Sequence, residues 1–204
     1  MHDDIEFYFD FASPYSYFAA RRIEQIAAAH GRAVRWLPVL VTVMCEATGS
    51  PLVPLVPIKW QYVQRDLERT ARTEGIAYRL PPGFPRLLLA PGRAMLWIRQ
   101  VHGEKTAAAF ARTCLQAYFG DGVDISDAQV LTGIGAALGV DRQALLAGMA
   151  DDAIKSRFRD ATAQALNKGA FGVPFVIADG EAFWGFDRLG QLDAWLGRAV
   201  EPVA

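Results

Sequence analysis

The chain has 204 residues, and 21 Lys plus Arg against 22 Asp plus Glu leave a formal net charge of −1. At about 150 residues per domain this is one domain, or one domain with a large insertion, and the charge balance excludes an electrostatic grip on nucleic acid or on an anionic membrane. With 52% hydrophobic and 21% charged residues the composition is that of a globular protein with a proper core, which excludes a disordered chain.

The start Met1-His2-Asp3-Asp4 is acidic where a secretory signal would be basic. Ile5 to Phe11 then alternates as a strand, with Ile5, Phe7 and Phe9 on one face and Glu6, Tyr8 and Asp10 on the other. Pro14 fits the first position of a helix that reads through Tyr15 to His30, with Gly31 as its stop. Val34 to Val41 predicts a second strand, parallel to the first across the helical connection.

Residues 45–169 contain no convincing strand. Trp60, Val63, Leu67 and Ala71 stripe a helix between Ile58 and Glu74, and Pro81, Pro82, Pro85 and Pro91 punctuate a loop. Met95, Ile98 and Val101 predict another helix, and Phe110, Cys114 and Tyr118 the next. Ser126 with Gln129 reads as a capping box, and Asp141 as the cap of a short helix. Ile154, Phe158, Ala161 and Ala165 stripe one more helix, which ends near Gly169.

Strands return at Val173 to Ile177 and Ala182 to Trp184, joined through the hairpin signal Asp179-Gly180. Leu189, Leu192, Trp195 and Leu196 form a last helix with Asp187 expected as its cap, and Glu201 to Ala204 reads as a frayed tail. The order β-α-β, helical block, β-β-α predicts an α/β thioredoxin-like fold. Residues 1–44 and 170–204 form its frame, and 45–169 form a large all-helical insertion domain.

Cys45 and Cys114 are too few and too far apart for a disulfide framework, a CxxC redox pair or a cysteine zinc cluster. His2, His30 and His102 make no metal-binding pattern, so no metal is expected. With no apolar run long enough to span a membrane and with reduced thiols, the expected place is the cytoplasm. Cys114, on an apolar stripe with Phe110 and Tyr118, reads as packing.

Two segments carry chemistry. Ser13 follows a strand and opens a helix, where backbone N–H groups and the positive end of the helix dipole converge. A thiolate placed there is stabilised, and the serine hydroxyl has a proton to donate to it. Read alone, Ser13 is a plain N-cap, since caps far outnumber catalytic serines, and no GxSxG elbow marks it as a hydrolase nucleophile. Gly172-Val173-Pro174-Phe175 puts a proline at a strand start. A cis Val173–Pro174 bond would turn the Val173 backbone outward to pair with a peptide-like ligand, whereas a trans bond would make Pro174 a plain strand opener.

Three segments together, Phe9-Asp10-Phe11-x-Ser13-Pro14-Tyr15-Ser16, Gly172-Val173-Pro174 and Phe183-Trp184-Gly185-x-Asp187-Arg188-Leu189, resemble the 2-hydroxychromene-2-carboxylate isomerase family. That family belongs with the kappa-class glutathione transferases and the DsbA-like thioredoxin-fold proteins. The resemblance runs from Ile5 to about Ala199, and what it implies is a set of expectations.

The cofactor is glutathione. Ser13 holds its sulfur and favours the thiolate, Val173 before Pro174 pairs with its cysteinyl part, and Asp187 lies near its γ-glutamyl end with Arg188 beside it. Lys59 matches a family lysine ten residues after Gly49, followed by Tyr62 and Asp66 at the family's offsets. Ser50 stands where the family commonly has Asn, and Phe186 where it commonly has Asn, Gln or Ser. The substrate is a small aromatic carboxylate, with Lys59 as the candidate cation and Trp60 as a candidate contact. Trp36, Trp97 and Trp184 are further aromatic candidates that fit a core equally well. The family tends towards homodimers.

The leading function is a glutathione-dependent isomerase acting by reversible thiolate addition to an unsaturated aromatic pyruvate. A kappa-like glutathione transferase conjugating electrophiles is the alternative within enzymes, and a non-catalytic glutathione- or peptide-binding module the alternative outside them. A DsbA-like disulfide oxidoreductase is disfavoured because Ser13-Pro14-Tyr15-Ser16 has no cysteine at either end.

Overall fold

A computed structural model describes residues 4–198; the acidic start before Asp4 and the tail Glu201 to Ala204 lie outside the described residues. The elements are β1 (Ile5–Phe9), α1 (Pro14–Ala20), α2 (Ile23–Ala29), β2 (Val34–Pro38), α3 (Val41–Thr48), α4 (Pro57–Glu74), α5 (Leu89–Leu115), α6 (Ala128–Ala137), α7 (Arg142–Ala150), α8 (Asp152–Asn167), β3 (Phe175–Ala178), β4 (Glu181–Trp184) and α9 (Leu189–Leu196). The sheet order is β2-β1-β3-β4, with β1 parallel to β2 and antiparallel to β3, and β3 antiparallel to β4. This is the thioredoxin-like fold with helices inserted between β2 and β3.

The period-2 pattern of β1 sorts the core. Ile5, Phe7 and Phe9 join Trp36 and a cluster that reaches into the helical block through Leu67, Met95, Phe110 and Leu131. Tyr8 points the other way, to a smaller cluster with Val39, Met44 and Phe175. In the β3–β4 turn Asp179 (φ 52°) and Gly180 (φ 83°) both take the left-handed backbone that a two-residue hairpin demands.

Several boundaries differ from the sequence expectation. β1 ends at Phe9 because the Asp10 carbonyl accepts the Ser13 N–H (3.0 Å) and its carboxylate accepts the Ala12 N–H (2.8 Å), closing a turn. The helix expected from Tyr15 to His30 is two helices. At the joint the N–H groups of Arg21 and Arg22 bond three residues back, and the Arg22 side chain leaves to pair with Glu74 of α4.

β2 stops at Pro38, short of the Val41 at which the expected strand was to end, and Val41 instead opens α3. The helices expected around Val101 and Phe110 are two segments of α5, separated at Gly103 (φ 83°, ψ 174°). Pro91 sits in the first turn of α5 instead of the loop, where its missing N–H had no intrahelical partner to lose.

Two expected caps move. Ser126 is not the cap of α6; Asp127 is, accepting the Gln129 N–H at 2.7 Å, while Ser126 donates to Asp124. Asp187 does not cap α9: it lies in a 3-10 turn, Phe186–Arg188, and pairs with Arg188 at 3.2 Å. Asp141 does cap α7, accepting from Ala144 at 2.8 Å. We therefore expect Asp127→Ala to lower stability by about 1 kcal/mol and Ser126→Ala by less, which urea denaturation of the two variants checks.

Candidate active site

The register of β1 and β3, with Tyr8 opposite Phe175, brings the exit of β1 and the entry of β3 to the same end of the sheet. The Ser13 turn and the Val173–Pro174 segment are therefore neighbours in space although 160 residues separate Ser13 from Val173 in the chain. Ser13 is the N-cap of α1 and is buried; its Oγ accepts the Ser16 N–H at 3.2 Å. One hydroxyl can do both jobs expected of it. The oxygen caps the helix, and the hydroxyl proton remains to be donated.

The Val173–Pro174 bond is cis. Pro174 is tied in through its carbonyl, which accepts the Gly185 N–H at 2.9 Å, while among the described residues the Val173 main chain makes no backbone hydrogen bond. Gly172 is required beside it: a Cβ there would stand 2.7 Å from Trp184 Nε1.

Val173, Pro174, Trp184, Asp187 and Arg188 form one wall of a cleft of ≈ 730 Å³. The facing wall is the polar stripe of α4, Tyr15 of α1 joining Tyr62, Asp66, Arg69 and Thr73. These α4 residues recur at helical spacing opposite the apolar stripe of Val63, Leu67 and Ala71. The stripe is knitted together: Tyr15 donates to Asp66 at 2.6 Å, and Arg69 bonds Asp66 and reaches the Tyr62 hydroxyl at 3.4 Å. Burial, and then the Asp66 carboxylate that it donates to, push the Tyr15 hydroxyl well above its ordinary pKa, so it stays a neutral donor. A smaller cavity of ≈ 410 Å³ lies on the other side of Phe186 and shares Phe186, Asp187 and Glu74 with the cleft. Phe186 packs against Phe18, their rings 5.7 Å apart.

The expected site residues are thus only partly assembled. Val173, Pro174, Asp187 and Arg188 line the cleft. Ser13 is at the start of α1, two residues before the lining Tyr15, and is not itself among the lining residues. Lys59 is exposed one turn before Tyr62 on the same face of α4, outside the lining residues.

Ser50 is exposed just past the left-handed Gly49 that ends α3, its N–H bonded to the Cys45 carbonyl at 2.9 Å, and is not in the cleft lining. Trp60 also stands outside the lining: its ring stacks on Phe84 at 5.4 Å. Of the other tryptophans Trp184 lines the cleft, whereas Trp36 is fully buried in the core. Arg69 and Thr73 were missed by the sequence reading, although their helical spacing after Tyr62 and Asp66 was a usable signal.

The fold and these walls match known proteins. Residues 4–197 fit the model of the DsbA-like thioredoxin domain. A 2-hydroxychromene-2-carboxylate isomerase of Sphingobium xenophagum is 32% identical over 96% of this chain and 99% of its own length. The chain belongs to the DsbA-like thioredoxin family and, within it, to the 2-hydroxychromene-2-carboxylate isomerases. A solved structure of such an isomerase superposes with a TM-score of 0.84 at 29% identity, covering 95% of this chain and 94% of the other. A kappa-class glutathione transferase of Caenorhabditis elegans is 28% identical over 94% of this chain and 91% of its own. In this DsbA-like member Ser13 opens the first helix, and both cysteines, Cys45 and Cys114, are free thiols. Burial alone pushes the Cys114 thiol well above its ordinary pKa, as fits packing rather than reactivity. Among the described residues no helix is long and apolar enough to cross a membrane.

Proposed function

We propose that this protein is a glutathione-dependent isomerase that converts 2-hydroxychromene-2-carboxylate to trans-o-hydroxybenzylidenepyruvate. Family membership supports the reaction class. The observation that carries the glutathione reading is that the register of β1 and β3 brings to one end of the sheet a helix-start hydroxyl, Ser13, and a main-chain segment, Val173, that among the described residues makes no backbone hydrogen bond.

The residues present fit a tripeptide thiol. The cleft is of the size that small-ligand sites have, the Val173 N–H and carbonyl offer strand-like pairing, and Asp187 and Arg188 at the cleft offer both signs of charge to the charged end of a γ-glutamyl group. When bound, glutathione supplies a thiolate that adds reversibly to an unsaturated carbon of the substrate and leaves again, so that none is consumed. Ser13 donates its hydroxyl proton as a hydrogen bond to the sulfur, and the α1 N-terminus adds the field of its free N–H groups; both favour the ionised thiol. Lys59, at the end of the α4 stripe, steers the substrate carboxylate towards the cleft. The neutral Tyr15 hydroxyl and Asp66 keep the α4 wall in place. The same reading places the enzyme in the cytoplasm, where its two thiols stay reduced.

The test mixes purified protein with 2-hydroxychromene-2-carboxylate, with and without glutathione, and follows absorbance. Isomerisation only with glutathione is expected. No isomerisation in either condition would sink the reading, and conjugation of a test electrophile in its place would favour the transferase.

A further inference from the structure

We propose that Asp10 is a positioning residue: its carboxylate locks the Ser13 turn to the first turn of α3, and so sets the hydroxyl that faces the glutathione sulfur. The inference rests on the glutathione reading and goes beyond it by naming what holds Ser13 in place.

Asp10 lies three residues before Ser13 and is almost completely buried. Its Oδ1 accepts the Ala12 N–H at 2.8 Å and its Oδ2 the Val41 N–H at 2.7 Å. Its main-chain carbonyl accepts the Ser13 N–H at 3.0 Å, and its own N–H donates to Ser16 Oγ at 3.4 Å. One residue therefore closes the turn that presents Ser13 and ties that turn to α1 behind it and α3 beside it.

α3 needs the carboxylate. Its N-cap residue is Leu40, whose side chain has nothing to offer the free N–H groups of a helix start. Asp10 caps Val41 from the far side of the loop, and Thr162 Oγ1 of α8 accepts the Leu40 N–H at 3.1 Å. Only a carboxylate fits this geometry: asparagine has one carbonyl oxygen and would turn an NH2 towards the second N–H donor.

The group is also kept against stability. Among the described residues it has no cation as partner, and burial pushes its pKa up to about 6 in spite of the two N–H bonds. A folded pKa above the unfolded one means that the stability tied to this group is present below about pH 4 and lost as pH rises through about 6. At neutral pH the fold therefore carries a buried charge held by N–H donors. Burial first, and then the Asp10 charge, push the thiol of Cys45 on α3 up.

The experiment compares wild type, Asp10→Asn and Val41→Pro. The second variant leaves the carboxyl in place and removes one of its N–H donors at a first helical position, where proline is tolerated. Read-outs are circular dichroism, kcat/KM with glutathione, and the pH titration of bound glutathione by its ultraviolet thiolate absorbance. Both variants are expected to be folded, with kcat/KM lower by about 10- to 100-fold and the thiolate titration moved to higher pH. A merely structural role would lower thermal stability and leave that titration where it is. If Asp10→Asn does not fold, Val41→Pro decides. Folded variants that titrate and turn over like wild type overturn the proposal alone. A wild type that gives no thiolate signal overturns the glutathione reading, and this inference with it.

Discussion

Replacing Ser13 by Ala is expected to lower kcat/KM with glutathione by about 10²- to 10³-fold, the range seen when one donor to a developing anion is removed. The magnitude follows from where the hydroxyl stands. It is buried, its oxygen is already engaged by the Ser16 N–H, and its proton is the part left over for a sulfur. Losing the cap also costs about 1 kcal/mol of stability, so activity has to be measured well below the melting temperature. Ser13→Asp separates the two roles. An aspartate caps a helix as well as serine does but has no proton to donate at neutral pH, and it sets a negative charge against a thiolate. Its stability should return towards wild type while its activity stays low. Steady-state kinetics and thermal denaturation of both variants provide the check, and a fully active Ser13→Ala protein would refute the role of the hydroxyl.

The largest effect on stability is expected at Trp36. Its ring is fully buried and meets Phe7 and Phe9 edge-on, at 5.0 and 5.4 Å between centroids. Its indole N–H donates to Glu24 at 3.1 Å, and the Arg112 guanidinium lies over the ring at 5.9 Å while pairing with the same Glu24. Trp36→Ala removes the largest wholly buried side chain, opens a cavity between the sheet and α5, and strips one partner from an Arg–Glu pair. A loss of about 3–5 kcal/mol is expected, a large part of the roughly 5–15 kcal/mol that holds a domain together. Urea denaturation monitored by far-ultraviolet circular dichroism measures it. A loss below about 1 kcal/mol would mean that the aromatic face of the sheet can collapse around the gap.

These two residues also mark how far a sequence can be read. Alternation placed Phe7 and Phe9 on one face of β1, and the Asp179-Gly180 pair placed the hairpin, because both signals are local and each has one physical solution. α3 was invisible for the opposite reason. Its start is a run of β-branched residues, and what makes it a helix is capping by Asp10 and Thr162, which stand 31 and 122 residues away from the groups they accept. The break between α1 and α2 likewise hangs on Arg22 reaching Glu74. In the site, Val173, Pro174, Asp187 and Arg188 were legible from their motifs. The α4 wall was half legible: Tyr62 and Asp66 were noticed, whereas Arg69 declares itself only through its bonds to Asp66 and Tyr62. An aromatic on a helix stripe looks the same whether it faces a ligand or a core ring, and the Trp60 ring stacks on Phe84.

The aromatic face of the sheet has a consequence for anyone who would build hybrids from this family. Phe7, Phe9 and Trp36 share one cluster with Leu67, Met95, Phe110 and Leu131 of the helical block. Neither part carries a finished interior of its own. A chimera that grafts the helices of one relative onto the sheet of another joins two half-cores, each shaped for a different counterpart, so side chains across the seam have to be exchanged with the graft. Changes confined to the exposed stripe of α4 leave that seam untouched.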